Sequence, residues 1–432
     1  MYLSLGNNKD IVSFKKALFT GLAPDKSLYF PVEVKKLSND FYKNLKKMDS
    51  FSLAYEVLIN YTNNEIPKES LFNIINKTID FNFPTVLVDE NLYSLELFHG
   101  PTMAFKDVGA KFMSACMSYF IKAGDLNNKI TVIVATSGDT GGAVANGFLG
   151  VDGVDVVILY PKGKVSEIQE LQLTTLGKNV SALEVDGYFD QCQEMVKKSF
   201  LDTDLNKKLL LTSANSINVA RWIPQMLYYF IAYRDLNTKN SNLVFSVPSG
   251  NFGNLCAGML AKKMGLPINH FVASTNENDT VPKYMKTGEY KKQKTISTIT
   301  NAMDVGNPSN FVRILRIYNN DFNYLKKELT AYKFSDKETI LGMQELYHKS
   351  KYLLDPHGAT AYLGLKKHLL NNPKEIGVFL ETAHPIKFLE TVENALNVKI
   401  KIPNNILKLK NKKKEKTGIK DYEQLKSFLL SI

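Results

Sequence analysis

The feature that most constrains the fold is a pattern that repeats between residues 131 and 249: a short β-branched run, a glycine-containing turn and an amphipathic helical segment. Residues 131–135 (TVIVA), 154–160 (VDVVILY) and 180–185 (VSALEV) begin three such units. Apolar runs of this kind, each followed by a helical pattern, are typical of parallel strands in α/β proteins. The pattern therefore predicts a parallel sheet with helical connections.

A second group of units predicts a second sheet, because strand-like runs recur at residues 243–247 (LVFSV), 270–273 and 377–380. Two such groups indicate two α/β domains with a cleft between them, where ligands usually bind beyond the carboxyl ends of strands. The first 85 residues show mostly helical patterns and indicate an accessory domain. The predicted domains are an N-terminal accessory domain, a smaller and a larger α/β domain, at residues 1–85, 86–235 and 236–432 respectively.

Charge and cysteine content restrict the class of protein further. The net charge is +11, with a late cluster formed by Lys408, Lys410, Lys412, Lys413, Lys414 and Lys416. We interpret this cluster as solvated surface, because it lacks interleaved aromatic residues, and we expect no nucleic-acid partner. The three cysteines, Cys116, Cys192 and Cys256, show no metal-ligand spacing, so we expect neither disulfides nor a metal site. No apolar stretch approaches the roughly 20 residues that span a bilayer, and no signal pattern is present, so we expect a cytoplasmic protein without a membrane partner.

Lys106 is the first candidate for chemistry. It lies in LFHGPTMAFKD, residues 97–107, among apolar and small residues, where desolvation would lower the pKa of its amine. A neutral amine of this kind can form a Schiff base with an aldehyde. The alternative is a solvated lysine at the start of a helix.

Two glycine-rich turns are candidate anion sites. PSGNFGN, residues 248–254, follows a strand-like run and precedes a helical pattern, so it could hold a phosphate or be only a tight turn. TSGDTGG, residues 136–142, could hold a carboxylate or phosphate in the same way. Alternatively, this second turn only begins a helix, with Ser137 or Asp139 as the N-cap residue.

Arg221 ends the segment NSINVAR, residues 215–221, and its guanidinium suits a phosphate group beside an amide and a hydroxyl. The alternative is a surface salt bridge. For His357 and His384 we expect structural or hydrogen-bonding roles, because neither has a recognisable acidic partner nearby in sequence.

Taken together, these segments resemble the threonine synthase family, in its longer form with an extra N-terminal domain. The likeness extends almost from end to end, through YLSLGNN, LELFHGPTMAFKD, ATSGDTGGAVANGF, VPSGNFGN, TNENDTVP, NAMDVGNPSN, DPHGATAY and ETAHPIKF. The resemblance implies an α/β fold of the fold-type II class of pyridoxal-5′-phosphate (PLP) enzymes, similar to the tryptophan synthase β subunit. It also implies conversion of O-phospho-L-homoserine and water to L-threonine and phosphate, by γ-elimination followed by addition of water at Cβ.

The resemblance further implies roles for single residues. Lys106 would be the catalytic Schiff-base lysine, and Thr382 would face the pyridine nitrogen of PLP. Asp139 would lie near the cofactor hydroxyl, at a position where related enzymes often carry asparagine. The loop that would hold the cofactor phosphate consists of Gly250, Asn251, Phe252, Gly253 and Asn254. The residues that would bind the carboxylate and phosphate of the substrate are Thr136, Ser137, Thr140, Asn215, Ser216 and Arg221.

Two other functions are compatible with parts of the pattern. A phospho-lyase of the same family would share the cofactor and phosphate motifs but release 2-oxobutyrate, ammonia and phosphate. A non-catalytic binding module would keep the fold, but the intact Lys106 and Arg221 segments disfavour it. We expect a monomer or a homodimer.

Overall fold

The computed structural model describes residues 1–6, 10–124, 129–236 and 242–432. The strands in these residues are, in chain order, β1 (Tyr2–Ser4), β2 (Ile11–Val12), β3 (Tyr29–Pro31), β4 (Thr85–Asp89), β5 (Leu92–Glu96), β6 (Ile130–Ala135), β7 (Val154–Pro161), β8 (Val180–Val185), β9 (Leu210–Thr212), β10 (Leu243–Pro248), β11 (His270–Thr275), β12 (Leu329–Lys333), β13 (Ile376–Glu381) and β14 (Thr417–Ile419).

The α-helices of the same residues are α1 (Phe14–Thr20), α2 (Asn39–Asn44), α3 (Ser50–Thr62), α4 (Lys68–Thr78), α5 (Lys106–Lys122), α6 (Asp139–Phe148), α7 (Glu167–Thr174), α8 (Phe189–Leu201), α9 (Thr203–Lys208), α10 (Val219–Trp222), α11 (Met226–Leu236), α12 (Gly253–Lys263), α13 (Thr280–Thr287), α14 (Phe311–Ile317), α15 (Phe322–Glu328), α16 (Asp336–Ser350), α17 (Pro356–Leu369), α18 (Leu389–Leu396), α19 (Asn404–Lys410) and α20 (Tyr422–Ser431). Short 3₁₀ segments lie at Leu45–Lys47, Ile223–Gln225, Asn301–Met303 and Pro385–Phe388. None of the helices in the described ranges is long and apolar enough to cross a membrane.

Two sheets with parallel strands form the body of the protein, as the sequence predicts. One has the order β14-β8-β7-β6-β9 and is parallel throughout. The other has the order β12-β11-β10-β13-β5-β4, in which only β4 runs antiparallel to its neighbour. The central strands β6, β7, β10 and β11 consist mostly of buried apolar residues, because helices cover both faces of such sheets.

Strand pairing crosses the domain boundaries that the sequence predicts. β5 pairs with β13, so a strand from the region 86–235 belongs to the sheet of the C-terminal half. β14 pairs with β8, so the chain returns to the first sheet near its end. Each sheet is therefore built from separated segments of the chain. The domain boundaries at residues 85 and 235 stay predictions.

The N-terminal region is mostly helical, as the sequence predicts, but it also contains the antiparallel sheet β2-β1-β3. Its apolar side chains join the same core as α5, α10 and α11. The fully buried Tyr2 donates a hydrogen bond to the carbonyl of Tyr61 at 2.7 Å. The accessory region is thus packed directly on the elements that carry Lys106 and Arg221.

The late lysine cluster is tied to the first sheet. Lys410 pairs with Glu167 at 3.0 Å and Lys416 with Glu184 at 2.6 Å. Lys414 pairs with Glu170 at 2.5 Å. These pairs neutralise part of the cluster and hold the connection between α19 and β14 against α7. The three cysteines are free and buried.

Candidate active site

A cavity of about 670 Å³ lies between the two large sheets. Its walls include residues that follow the carboxyl ends of β6, β9, β10 and β13, which is where ligands bind in open α/β sheets. All the site residues predicted from the sequence line this one cavity: Lys106, Thr136, Ser137, Asp139, Thr140, Asn215, Ser216, Arg221, Gly250, Asn251, Phe252, Gly253, Asn254 and Thr382. Their clustering comes from the fold, because they are drawn from five separate segments of the chain.

Lys106 is the first residue of α5, and backbone pairing holds it close to Thr382. The residues before it form an antiparallel bridge, Ala104 opposite Ala383. The N–H of Phe105 donates to the carbonyl of Thr382 at 2.9 Å, and that of His384 donates to the carbonyl of Met103 at 3.0 Å. The distance between lysine and threonine is thus set by main-chain hydrogen bonds rather than by flexible side chains.

The environment of Lys106 favours a neutral amine. Burial lowers the pKa of Lys106, and the positive charges of Lys387 and Arg221 lower it further, against an opposing effect of Asp139. Its Nζ lies 4.6 Å from the centre of the Phe105 ring. A lowered pKa increases the fraction of unprotonated amine at neutral pH, which is the form that attacks an aldehyde or accepts a proton.

The loop between β10 and α12 has the features of a phosphate site. Gly250 packs so closely on the opposite wall that a Cβ there would lie 2.8 Å from the carbonyl oxygen of Ala302. Phe252 adopts a left-handed conformation with φ of 61° and begins α12, whose first N–H groups have no partner within the helix. The Nδ2 of Asn254 is buried without a hydrogen-bond partner in the described part of the chain. These donors suit an anion at the positive end of the helix.

The turn between β6 and α6 is shaped by Thr136. Its hydroxyl accepts hydrogen bonds from the N–H groups of Gly138 at 3.0 Å and Gly141 at 2.8 Å. The cap position of α6 is Gly138, with no side-chain capping bond, so the alternative in which Ser137 or Asp139 caps this helix is wrong. Both side chains instead line the cavity.

Asp139 is an ionised carboxylate in a buried position. Its Oδ1 lies 2.8 Å from the Nζ of Lys387 and accepts a hydrogen bond from Gln169 at 2.9 Å. Burial alone would raise the pKa of Asp139, but the charges of Lys387 and Lys106 and these hydrogen bonds hold it well below its ordinary value. A fixed negative charge therefore borders the cavity near Lys106.

Arg221 is buried, so the alternative of a surface salt bridge is wrong. Its Nη1 donates to the carbonyl of Ala214, while its Nε has no partner among the residues described. Burial lowers the pKa of Arg221 to about 10, which leaves the guanidinium charged at neutral pH. A buried cation with an unused donor at a cavity wall is suited to an anionic ligand.

Comparison with known proteins identifies the family. Residues 84–380 match the pyridoxal-phosphate dependent enzyme family, residues 1–79 match the threonine synthase N terminus, and residues 358–429 match the threonine synthase C-terminal family. The threonine synthase of Haemophilus influenzae is 42% identical over 425 residues, which cover 97% of each chain. The chain belongs to the threonine synthase family. It is a PLP-dependent enzyme with threonine synthase function.

Solved structures agree with this membership over the full length. The threonine synthase of Escherichia coli superposes with a TM-score of 0.93 at 39% identity, covering 100% of this chain and 99% of that one. The PLP-bound threonine synthase of Brucella melitensis gives a TM-score of 0.92 at 33% identity, covering 99% and 98%. Maize serine racemase, at 13% identity and a TM-score of 0.54 over 73% of this chain, shares the fold alone. The predicted fold-type II architecture is therefore confirmed.

Two residues of this threonine synthase family member that the sequence did not single out support the site. Lys387 is fully buried and binds Asp139. Arg313 is fully buried and donates to the carbonyls of Tyr29 at 2.9 Å and Ser216 at 3.1 Å. A lysine between apolar residues in PIKF carries the same signal that identified Lys106, so Lys387 could have been found. Arg313 carries no such local signal, because all its carbonyl partners lie far away in the chain.

Arg313 fixes the segment that carries Asn215 and Ser216. It also donates to the carbonyl of Ile217 at 2.6 Å and to Oδ1 of Asn310 at 2.5 Å, and its guanidinium stacks 4.7 Å from the Trp222 ring. Asn310 in turn donates to the Ser216 hydroxyl at 3.1 Å. The N-terminal sheet, the cavity-lining segment with Asn215 and Ser216, and α14 are therefore joined by one side chain.

His357 has an acidic partner, so the expectation that it has none is wrong. Its Nδ1 lies 2.6 Å from Oδ1 of Asp355, two residues earlier, and its Nε2 accepts from the N–H of Ala302 at 3.3 Å. Asp355 in turn bonds through its N–H to the buried Glu381 at 2.6 Å. Burial and the neighbouring Asp355 raise the pKa of Glu381 well above its ordinary value. The hydrogen-bonding role of His357 is to support the cavity wall at Ala302.

Substitution of Gly250 tests whether the loop between β10 and α12 binds the cofactor phosphate. In Gly250→Ala the new methyl group would lie 2.8 Å from backbone atoms of both Ala302 and Met303. Because backbone cannot yield as a side chain can, we expect the loop to shift and the Kd for PLP to rise about tenfold or more. Fluorescence titration of the apoenzyme measures this change. In the control Gly418→Ala, where no atom lies within 4 Å of the new Cβ, the Kd should not change. An unchanged Kd in Gly250→Ala would contradict the assignment of this loop.

Proposed function

We propose that the cavity binds O-phospho-L-homoserine and that its residues convert this substrate and water to L-threonine and phosphate. The observation that carries this proposal is the presence of a reactive lysine, a phosphate-type loop and a buried arginine in one cavity. Relatives that match 97% or more of the chain are named threonine synthases, which supports the same substrate. The residue roles below are parts of the proposal.

The residues present fit PLP. In the β10–α12 loop, the closely packed Gly250 and the unpartnered side-chain amide of Asn254 suit the phosphate of PLP. The Nζ of Lys106 suits its aldehyde carbon. Asp139 would border the cofactor hydroxyl. Thr382 would present a neutral hydroxyl to the ring nitrogen, which unlike a carboxylate would not keep that nitrogen protonated. When bound, PLP supplies an electron sink that lowers the cost of removing protons from Cα and Cβ of the substrate.

Lys106 is the base in this proposal. Its neutral amine would remove the proton from Cα and pass it to the substrate phosphate, and would then remove one proton from Cβ as the bond from Cγ to the phosphate oxygen breaks and phosphate leaves with the bonding electrons. Lys106 would give the Cβ proton to Cγ. The amine, neutral again, would accept a proton from the water whose oxygen bonds to Cβ, and would return it to Cα to complete threonine. One amine can serve these atoms because it is tethered beside all three, which replaces several collisions by one binding event.

Arg221 and the two polar segments bind the charged ends of the substrate. The unused Nε of Arg221 would donate to the phosphate group. The hydroxyls of Ser137, Thr140 and Ser216 and the amide of Asn215 would share the remaining phosphate and carboxylate contacts. Both oxygen lone pairs of Thr136 already accept backbone N–H groups, so only its O–H proton is available for a ligand.

Product analysis tests the reaction. PLP-loaded protein is incubated with O-phospho-L-homoserine, and the products are separated and identified. We expect threonine and phosphate in equal amounts, and no product with Lys106→Ala. Formation of 2-oxobutyrate and ammonia in place of threonine would instead indicate the phospho-lyase, and no turnover would contradict both. Oligomeric state and cytoplasmic location stay predictions.

A further inference from the structure

Lys387 lies at the junction of the segments that build the cofactor side of the cavity. It belongs to the 3₁₀ segment Pro385–Phe388, which follows Thr382. Its side chain is completely buried. Its Nζ donates to the carbonyl of Thr102 at 2.8 Å and to Oε1 of Gln172 at 2.9 Å, and it lies 2.8 Å from Oδ1 of Asp139. These partners come from the approach to α5, from α7 and from the start of α6.

The three contacts use all three donors of the lysine ammonium. Only one of the acceptors, Asp139, carries a charge, so the two side chains form a buried ion pair. Gln169 donates a further hydrogen bond to the same carboxylate at 2.9 Å. A buried pair of this kind is costly to break from one side, because removal of one partner leaves the other charge uncompensated in a poorly polarisable interior.

The pair controls the charges around Lys106. The charged groups that act on the Lys106 amine are Asp139 of α6, Lys387, Arg221 of α10 and Asp355 before α17. Among these charged groups Asp139 has the largest effect on the Lys106 amine, and its attraction favours a protonated amine. While Lys387 holds the carboxylate, that attraction is opposed by an equal positive charge close by.

We propose that Lys387 is a positioning residue whose ammonium holds the Asp139 carboxylate beside the cofactor site and prevents it from pairing with Lys106. The inference rests on the proposed function, because it takes Lys106 as the amine that holds the cofactor. It extends that function by giving a role to a residue outside the substrate and phosphate segments. Without Lys387, Lys106 would be the remaining cation that acts on Asp139, and the amine would stay protonated to higher pH.

The reactivity of Lys106 in the apoenzyme tests this role without substrate or turnover. The apoenzyme is labelled with acetic anhydride over a series of pH values, and the extent of labelling of each lysine is read by peptide mapping, with exposed Lys374 as internal reference. In Lys387→Met we expect the midpoint for Lys106 labelling to move to higher pH. Below that midpoint, Lys106 of the variant should be labelled about tenfold more slowly than Lys106 of the unmodified protein. This is the effect expected from the loss of one nearby charge in a protein interior.

Two further variants keep the test decisive. Asp139→Asn should move the Lys106 midpoint in the opposite direction, to lower pH, because the attracting carboxylate is gone. In Lys399→Met, which removes an exposed lysine paired with Glu393 at 2.7 Å, the Lys106 profile should stay that of the unmodified protein. If Lys387→Met does not fold, the direction of the Lys106 shift in Asp139→Asn still tests whether the Asp139 carboxylate acts on the Lys106 amine.

An unchanged Lys106 midpoint in either Lys387→Met or Asp139→Asn would overturn the inference. That outcome, together with normal threonine formation by the unmodified protein, would leave the proposed function intact. The proposed function would fail separately, if the unmodified protein formed no threonine while the labelling shifts occurred as expected.

Discussion

Lys106→Ala is expected to lower kcat/KM for O-phospho-L-homoserine by at least about 10³-fold, because a positioned acid or base contributes 10²- to 10⁴-fold and this residue serves several proton transfers. Burial lowers the pKa of the amine, which increases the fraction present in the basic form. The measurement is steady-state formation of phosphate and threonine with PLP in excess. Lys106 is half-buried and makes no ion pair within the described ranges, so the variant should fold normally.

The matched control for Lys106 is Lys122→Ala. Lys122 is the last residue of the same helix and is exposed. Its replacement should leave kcat/KM unchanged and alter the melting temperature little. Lys106→Ala with substantial threonine formation would contradict the assignment of this lysine as the base.

Arg221→Met is expected to lower kcat/KM by about 10²- to 10³-fold, because a desolvated charged hydrogen bond to the substrate phosphate would be lost. The effect should fall mainly on KM if Arg221 binds the phosphate equally before and during its departure. Inhibition by inorganic phosphate should weaken in parallel, which a loss of folded protein would not produce. Arg221→Lys should recover only part of the loss, since an ammonium cannot reproduce the guanidinium fork.

Arg316→Met is the control for Arg221, because Arg316 lies on α14 and does not line the cavity. Its kcat/KM and phosphate inhibition should match those of the unmodified protein. If Arg221→Met had the same KM and the same inhibition by phosphate as the unmodified protein, Arg221 would not be the phosphate ligand.

The regular parts of the fold follow from local sequence. The run TVIVA predicts residues 131–135 as a strand, and the structure has Ile130–Ala135; residues 180–185 are predicted and observed as Val180–Val185. Buried parallel strands are long apolar runs, so their signal lies within the segment itself. The glycine-rich turns that follow these strands are also recognisable from local sequence, because the fold requires a tight connection there.

The strands and residue roles that the sequence does not predict depend on contacts with distant segments of the chain. β14 is three residues long in a lysine-rich stretch, and it is a strand because β8 offers it an edge. The strands β1 to β3 are two or three residues long, too short for an alternating pattern to be recognised. Arg313 binds partners far away in the chain, among them Tyr29, so its role follows from tertiary packing rather than from local pattern.

The sequence predicts the segments that line the cavity more completely than the sheets, because each of these segments has a recognisable local form. The structure adds the relations between them. A main-chain hydrogen bond between Phe105 and Thr382 holds Lys106 beside Thr382, and Arg313 ties the Ser216 segment to the N-terminal sheet. The N-terminal sheet is therefore linked to a wall of the cavity through a single buried side chain.

The most direct test of the account is reduction of the PLP-loaded protein with borohydride, followed by proteolysis and peptide mapping. Reduction makes the bond between cofactor and amine permanent, so the modified residue can be identified by mass. We expect a single modified peptide, carrying the cofactor on Lys106. Modification of another lysine, or an unmodified Lys106 in a fully loaded protein, would contradict it.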